Sequence, residues 1–370
     1  MRKWIFTMLV ALLVLSLVVG CGATPEPTAK PAEPTAKPAE PTATTAAPTE
    51  PAAVALKVGM VSDVGGIDDA SFNQNTWEGL QKAAKDFGLQ AQFIESQAQA
   101  DYEKNITEFA EQKYDLIITV GFLLGDATGK MAAQYPDTKM AIVDYAYDPP
   151  IPNVQGIIFN VDEAAFPIGF LAAAWADMKD PSDAKVGYVG GMQIPPVEQF
   201  IVAYEAGVKY YNEKYGKNVE AKGVYVGDFE SPDKGKIAGQ SLLDEGVDVI
   251  FGVGGKTGNG GITAAKEAGK WGIGVDVDQY LSNPDSKACI LTSAEKKLKN
   301  AVSQLIVAVS EGTDVGGNAF FSAVNDGIGL APYYENEALI TPEIQAAVDA
   351  AYQGFIDGTV DPCAPQACVP

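Results

Sequence analysis

Residues 56–80 read LKVGMVSDVGGIDDASFNQNTWEGL, and this stretch decides the fold class. An apolar run at 56–61 leads through a polar loop into an amphipathic segment at 73–87. A short apolar strand followed directly by a helix is the first half of a βαβ unit. The loop has a more varied composition than a turn requires. Residues 63–75 include three aspartates, two glycines, a phenylalanine and two asparagines.

The same succession of strand, turn and helix recurs along the chain, which predicts parallel sheets covered by helices on both faces. About ten strands are too many for one such sheet, so we predict an α/β fold of two doubly wound parallel-sheet domains. The predicted strands are 56–61, 91–95, 115–120, 139–143, 154–159, 185–190, 219–226, 247–253, 272–276 and 288–293. The predicted helices are 73–87, 101–113, 163–178, 197–214, 233–245, 259–269 and 294–311.

We expect the two domains to form lobes that close on each other about a three-segment hinge. The predicted N-terminal lobe is 54–161 plus 293–320, and the predicted C-terminal lobe is 162–292 plus 321–370. The predicted crossings between the lobes lie near 160–163, 280–292 and 312–325.

The first 53 residues read as a signal and a spacer. Residues 1–21 combine two basic residues, an apolar run and a final VVGC, which resembles the lipobox of bacterial lipoproteins. We predict a signal peptide cleaved before Cys21 and a lipid on that cysteine; an uncleaved transmembrane helix is the alternative. Residues 22–53 repeat PTAKPAE and contain little besides Pro, Thr, Ala, Glu and Lys. This composition is typical of a disordered, semi-stiff spacer, and a glycosylated or wall-spanning stalk would have the same composition.

Charge and composition exclude several functions. The chain has 48 Asp and Glu against 26 Lys and Arg, which argues against nucleic acid and against charge-driven binding to anionic lipid. It has no histidine, so the commonest general base and zinc ligand are missing, and we predict neither an enzyme nor a metal site. Cys363 and Cys368 could close a small disulfide loop outside the cytoplasm, while Cys289 stands alone.

Polar and glycine-rich segments follow the predicted strands, where ligands bind in open α/β sheets. The acidic residues among them have a simpler explanation as well, because Asp63 and Asp69 could be turn or helix-cap residues. Phe72 could be a hydrophobic staple beside such a cap. The glycine run 252–261 lacks the order of a phosphate loop and is more typical of a tight turn near a ligand.

Five segments, in consistent order from about Val58 to about Asn300, resemble the basic membrane protein family of substrate-binding lipoproteins, of the purine nucleoside receptor type. They are SDVGGIDDASFNQNTWEGL (62–80), VGYVGG (186–191) followed by Phe200, GGKTG (254–258), GVDVDQ (274–279) and TSAEKK (292–297). The resemblance implies a fold like that of type I periplasmic binding proteins and delivery of nucleosides to an ABC importer.

The resemblance also implies roles at the nucleobase. Phe72 and Phe200 would be opposing aromatic walls, and Asn73 and Asp63 would form hydrogen bonds with the base edges. Aromatic faces suit a flat base, and stacking on one contributes about 1–3 kcal/mol in single-stranded nucleic acid binding.

At the ribose, the resemblance implies that Asp144 and Asp276 accept hydrogen bonds from the hydroxyls while Lys296 donates one. Gly255 would let the backbone approach the ligand. Asp278 is a second candidate beside Asp276, because alternate strand residues share a face.

The expected partners are therefore a nucleoside, the permease of an ABC transporter, and the membrane through lipid on Cys21, with no cofactor and no nucleic acid. The expected location is the extracytoplasmic face of the cell membrane. Three alternatives stay open: a sugar or polyol binder, a nucleoside sensor, and a carboxylate-dependent glycosidase.

Overall fold

A computed structural model describes residues 55–313 and 315–360. The predicted signal peptide and spacer, Cys21, Cys363 and Cys368 lie outside the described residues. Within them, Cys289 is a buried free thiol. No helix in 55–313 or 315–360 has the length and apolar character needed to cross a membrane.

Two six-stranded sheets organise the described chain. The first has the order β11-β5-β4-β3-β1-β2 and is parallel throughout. The second has the order β12-β10-β9-β8-β6-β7 and is parallel except for β12. The strands are β1 Lys57–Ser62, β2 Gln90–Ile94, β3 Leu116–Val120, β4 Lys139–Val143, β5 Val154–Phe159, β6 Lys185–Gly190, β7 Glu220–Tyr225, β8 Val249–Val253, β9 Trp271–Asp276, β10 Ile290–Lys296, β11 Gly317–Phe321 and β12 Ile328–Leu330.

Helices connect the strands and cover the sheets. They are α1 Phe72–Phe87, α2 Tyr102–Glu111, α3 Gly125–Gln134, α4 Asp162–Lys179, α5 Pro195–Tyr215, α6 Pro232–Asp244, α7 Gly255–Glu267, α8 Gln279–Ser282, α9 Leu298–Ser310 and α10 Pro342–Ile356. The prediction of two doubly wound α/β domains is confirmed, and we call them the first and the second lobe after their sheets.

The opening stretch forms β1 and α1 as its pattern predicts. The central residues of β1 are buried, because both faces of a parallel sheet are covered. One face of α1 carries Leu80 and Ala83 into the core. Gly88 ends the helix in a left-handed conformation that glycine adopts without steric cost.

The chain crosses between the lobes three times. It passes from β5 to α4, from β10 to α9, and from β11 to β12. The first and third crossings lie in or beside the predicted ranges, but the second lies at Lys297 and not within 280–292. The helix predicted at 294–311 begins only at Leu298, because residues 294–296 belong to β10: all three pair with β12, and 294 and 295 also pair with β9. The boundary predicted at 292/293 therefore falls inside a strand of the second sheet.

The described segment after β11 completes the second lobe. β12 adds an antiparallel edge strand to β10. Helix α10 packs on α4, where the rings of Phe355 and Phe166 meet edge to face at 5.6 Å. Helix α4 is apolar around most of its circumference, as expected of a helix covered on all sides.

Candidate functional site

A cavity lies between the lobes at equivalent positions of the two sheets. Each sheet reverses its strand order between its first and third strands, β1 and β3 in one lobe and β6 and β8 in the other. Ligands of open α/β sheets bind beyond the strand ends at such switch points. The cavity is lined by the segments that follow these strands, among them Asp63, Gly121, Ile194 and Gly254.

The loop after β1 forms one polar wall of this cavity. The Oδ1 atom of Asp63 accepts hydrogen bonds from the backbone N–H of Gly65 at 2.9 Å and from Nδ2 of Asn73 at 2.8 Å. Asp63 is therefore both the turn residue that the simpler explanation proposed and a lining residue. Asn73 lies in the first turn of α1 and is 1% exposed.

Asp69 is a helix-capping residue in this structure. Its carboxylate accepts from the backbone N–H groups of Ser71, Asn73 and Gln74, at 2.9, 2.9 and 3.1 Å. These bonds satisfy donors that the first turn of α1 leaves free. The hydroxyl of Ser71 is thereby released from capping and donates to Asp276 across the lobes at 2.9 Å.

Two carboxylates from opposite lobes share one lysine at the second polar wall. Lys296 ends β10 and donates a hydrogen bond to Asp144, and its Nζ lies 3.9 Å from Oδ1 of Asp276. The side chains of all three are at most 10% exposed. Asp144, directly after β4, and Asp276, the last residue of β9, both have left-handed backbones, with φ of 64° and 65°. Such conformations concentrate at functional sites.

The two predicted aromatic walls both line the cavity, but their environments differ. Phe72 is half-buried at the start of α1, whereas Phe200 is 2% exposed and packs edge to face on Phe251 at 6.1 Å. Nζ of Lys296 lies 4.9 Å from the centre of the Phe72 ring and 5.4 Å from that of Phe200. Phe200 therefore belongs to the core as well as to the cavity lining.

The glycines after β8 bring backbone to the cavity. Gly254 and Gly255 have φ of 149° and 53°, and a Cβ at Gly254 would lie 2.4 Å from the backbone nitrogen of Gly191. A side chain at Gly254 is therefore excluded by both conformation and contact. The tight turn is confined to Gly254, between β8 and α7, whereas residues 255–261 of the run belong to α7; Gly255 lies in the cavity lining.

Asp278 does not line the cavity. Its carboxylate caps the short helix α8 by accepting from the N–H of Tyr280 at 3.2 Å, and it also accepts from the hydroxyl of Tyr334. The structure thus separates the two aspartates of GVDVDQ and leaves Asp276 at the cavity.

Several lining residues were not among the sequence candidates. Phe122 lies two residues after the end of β3, so the rule that ligands bind beyond strand ends could have found it. Phe229, Pro196 and Val197 lie further from strand ends and carry no local signal. They line the cavity only because the lobes face each other.

Burial changes the acidity of the carboxyl groups at the cavity. It raises the pKa of Asp63 to about 6, with hydrogen bonds from Asn73 and Gly65 acting in the opposite direction. Burial also raises the pKa of Asp69 to about 7, against its three backbone hydrogen bonds. The pKa of Asp276 is raised by burial and lowered by Lys296. The cavity is therefore acidic, with its charge sensitive to mildly low pH.

Two doubly wound lobes with a mostly apolar cleft and a few convergent polar groups define the class of periplasmic-type solute-binding proteins. A crystal structure of an ABC transporter solute-binding protein from Aeropyrum pernix K1 has the same fold, with a TM-score of 0.78 and 30% identity over 83% of this chain and 92% of that one.

Sequence comparison identifies the family within this class. The family model described as ABC transporter substrate-binding protein PnrA-like matches residues 56–357. The CD4+ T-cell-stimulating antigen of Listeria monocytogenes is 34% identical over 322 residues, 82% of this chain and 87% of that protein. The ABC transporter nucleoside-binding protein BmpA of Lactococcus lactis subsp. cremoris is 32% identical over 324 residues, 82% and 88% of the two chains. The chain belongs to the PnrA-like family of ABC transporter substrate-binding proteins, and the resemblance to basic membrane proteins is confirmed.

Proposed function

We propose that this substrate-binding protein captures nucleosides, purine nucleosides above all, between its lobes and delivers them to an ABC importer. The observation that carries the proposal is the pairing of two phenyl rings from opposite lobes with a buried group of two carboxylates and one lysine. A nucleoside has the matching composition, a flat base joined to a polyol. The name of the Lactococcus lactis relative supports the same ligand class.

The base would lie between Phe72 and Phe200, which come from the first and the second lobe. Closure of the lobes brings the rings together, so binding of a flat ligand and closure would favour each other. A pyranose could stack on one ring, but two opposed rings favour a planar ligand. We propose that the lobes close about the three crossings and that the lining residues of both lobes contact the ligand.

The ribose would lie at the second polar wall. Ionised carboxylates are strong acceptors for hydroxyl groups, and Asp144 and Asp276 come from different lobes. Lys296 offers the donor for a ribose oxygen and balances part of the negative charge. A nucleotide would bring its phosphate close to these carboxylates, so we expect the unphosphorylated nucleoside to be preferred.

The test of the nucleoside proposal is calorimetry with adenosine, guanosine, adenine, adenosine monophosphate and free ribose. Nucleosides should bind most tightly, free base far more weakly, and the nucleotide more weakly still. Equal affinity for free ribose and adenosine would instead support a sugar-binding protein. Release of free base during the titration would identify a glycosidase.

We predict that Asp276→Asn weakens ribonucleoside binding by about 1–2 kcal/mol, the difference between a charged and a neutral acceptor. A 2′-deoxynucleoside should lose a comparable amount with the unmutated protein, and little further with the variant. Asp278→Asn is the matched control, because its carboxylate caps α8 outside the cavity. Full deoxynucleoside affinity in the unmutated protein would argue against carboxylate recognition of the ribose.

We also propose that lipid on Cys21 anchors the protein at the extracytoplasmic face of the membrane, with residues 22–53 as the spacer. The support is the VVGC sequence after an apolar run. Cys21→Ala should release the protein from membranes in cell fractionation without changing its ligand affinity. Retention of the variant in the membrane fraction would indicate an uncleaved helix.

A further inference from the structure

Segment 68–71, between β1 and α1, belongs to the first lobe but is held by side chains of the second lobe. Its last residue, Ser71, donates to Asp276 as described above. The other three residues are each bound by a different second-lobe side chain. These contacts join Oδ1 of Asp68 to Nζ of Lys256 at 2.6 Å, the carbonyl oxygen of Asp69 to Nδ2 of Asn259 at 2.9 Å, and the carbonyl oxygen of Ala70 to Oγ of Ser282 at 2.7 Å.

The same segment positions the first turn of α1. The carboxylate of Asp69 caps the helix, and Phe72 and Asn73 in its first turn line the cavity. Ala70 has a φ of 53°, a left-handed conformation that is uncommon for a residue with a Cβ. The second-lobe side chains that bind the segment therefore hold the loop on which two lining residues depend.

Asn259 is itself oriented by the interior of the second lobe. Because a carbonyl oxygen can only accept, Nδ2 of Asn259 faces Asp69 and Oδ1 faces Gln279, whose Nε2 donates to it at 2.8 Å. Gln279 is fully buried, and its Oε1 atom has no hydrogen-bond partner among the described residues. This chain of amides therefore directs a donor at the first lobe, although it leaves one buried acceptor unpaired.

Lys256 lies among carboxylates from both lobes. Its Nζ is 2.8 Å from Oε2 of Glu230, which belongs to its own lobe. A Cβ at Gly66 would lie 3.0 Å from Oε1 of Glu230 and 3.0 Å from Oε1 of Glu95, so these carboxylates of opposite lobes are close together. Without the lysine, the first-lobe carboxylates of Asp68 and Glu95 would face Glu230 with no cation between them, and like charges at this separation repel.

We propose that Lys256, Asn259 and Ser282 form a latch that holds the lobes closed on the ligand and sets the rate at which the ligand leaves. This inference rests on the proposed capture of nucleosides by lobe closure. None of the three side chains lines the cavity, so they act on the ligand through segment 68–71 and are positioning residues. The latch forms after the ligand has entered, so its loss should speed dissociation and leave association nearly unchanged.

The experiment is surface plasmon resonance with the immobilised full-length protein and adenosine, which separates the two rates. Asn259→Ala and Ser282→Ala each remove one hydrogen bond between the lobes, so adenosine should dissociate about twofold to tenfold faster from each. Ser310→Ala is the matched control, because this hydroxyl donates to the carbonyl of Val307 within α9. Its rates should equal those of the unmutated protein.

The charged part of the latch gives changes of opposite sign. Lys256→Met should speed dissociation, and raising the salt from about 0.02 M to about 0.5 M should bring its rate back toward that of the unmutated protein, because salt screens the repulsion. Glu230→Gln should slow dissociation, because it removes a repelling carboxylate and leaves the lysine to Asp68. Lys236→Met is the control, since Lys236 pairs with Glu267 inside the second lobe.

Unchanged dissociation rates in the folded variants would overturn the latch while leaving the nucleoside function intact. A loss of affinity caused by slower association alone would overturn it as well. Failure of the unmutated protein to bind adenosine or guanosine would overturn the proposed function and the latch with it. Urea unfolding shows whether each variant is folded; Lys256→Met and Glu230→Gln, at partly exposed positions, decide the question if Asn259→Ala does not fold.

Discussion

Replacing Lys296 with methionine should lower the free energy of unfolding by about 3–5 kcal/mol at pH 7.5. The side chain is 3% exposed and serves two buried carboxylates, Asp144 and Asp276. Methionine keeps most of the volume but removes the charge. Both carboxylates would then be buried without their shared cation, and this uncompensated burial is the source of the loss.

The deficit of Lys296→Met should shrink as the pH is lowered. Without the lysine, the pKa of Asp276 in the folded protein rises further above its unfolded value, because the positive charge that opposed the effect of burial is gone. A folded state that binds more protons than the unfolded state gains stability as pH falls. Urea unfolding at pH 7.5 and pH 5 measures this change directly.

Lys299→Met is the matched control for this experiment. Lys299 pairs with Glu78 on the surface, where the two side chains are 47% and 42% exposed. Exposed ion pairs contribute about 0–1 kcal/mol, so the control should change stability little at either pH. Equal effects of the two substitutions, or a Lys296→Met deficit independent of pH, would contradict the role of Lys296 as the cation of a buried group.

Phe200→Ala should lower the free energy of unfolding by about 3–5 kcal/mol and also weaken nucleoside binding by about 1–3 kcal/mol. The ring is almost fully buried and contacts the core residue Phe251 while lining the cavity. One substitution therefore removes both a core contact and a wall of the proposed base site.

Phe72→Ala should separate the two effects, because Phe72 is only half-buried. We expect a similar loss of affinity with a clearly smaller loss of stability, measured by calorimetry and urea unfolding. Phe87→Ala is the control on the same helix, since this ring is 47% exposed and lies outside the cavity lining. If Phe72→Ala lowered the free energy of unfolding as much as Phe200→Ala and left nucleoside affinity unchanged, the Phe72 ring would be structural only.

The local sequence pattern was sufficient to predict the strands and helices and most residues of the candidate site. Each apolar run that ends in a polar or glycine-rich turn became a strand, since residue periodicity is a property of neighbouring residues. Asp63, Asp144 and Asp276 lie at or just after the ends of predicted strands, where ligands of parallel sheets bind, and all three line the cavity.

The local sequence pattern failed to predict secondary structure where pairing with a neighbouring strand determines it. Residues 294–296 resemble the start of a helix, but pairing with β12 and β9 makes them strand. The three residues of β12 are too few for a periodic signal, and they form a strand only because β10 lies beside them. The position of the second crossing, at Lys297, follows from both pairings.

The sequence by itself determined the fold class, the two lobes and the candidates at strand ends, because these depend on residues close together in the chain. Only the tertiary structure decided that Asp276 lines the cavity while Asp278 bonds Tyr334, since those partners are distant in sequence. It also decided that Phe200 serves the core as well as the cavity. Burial and contacts between residues distant in sequence exist only once the chain has folded, and no local pattern encodes them.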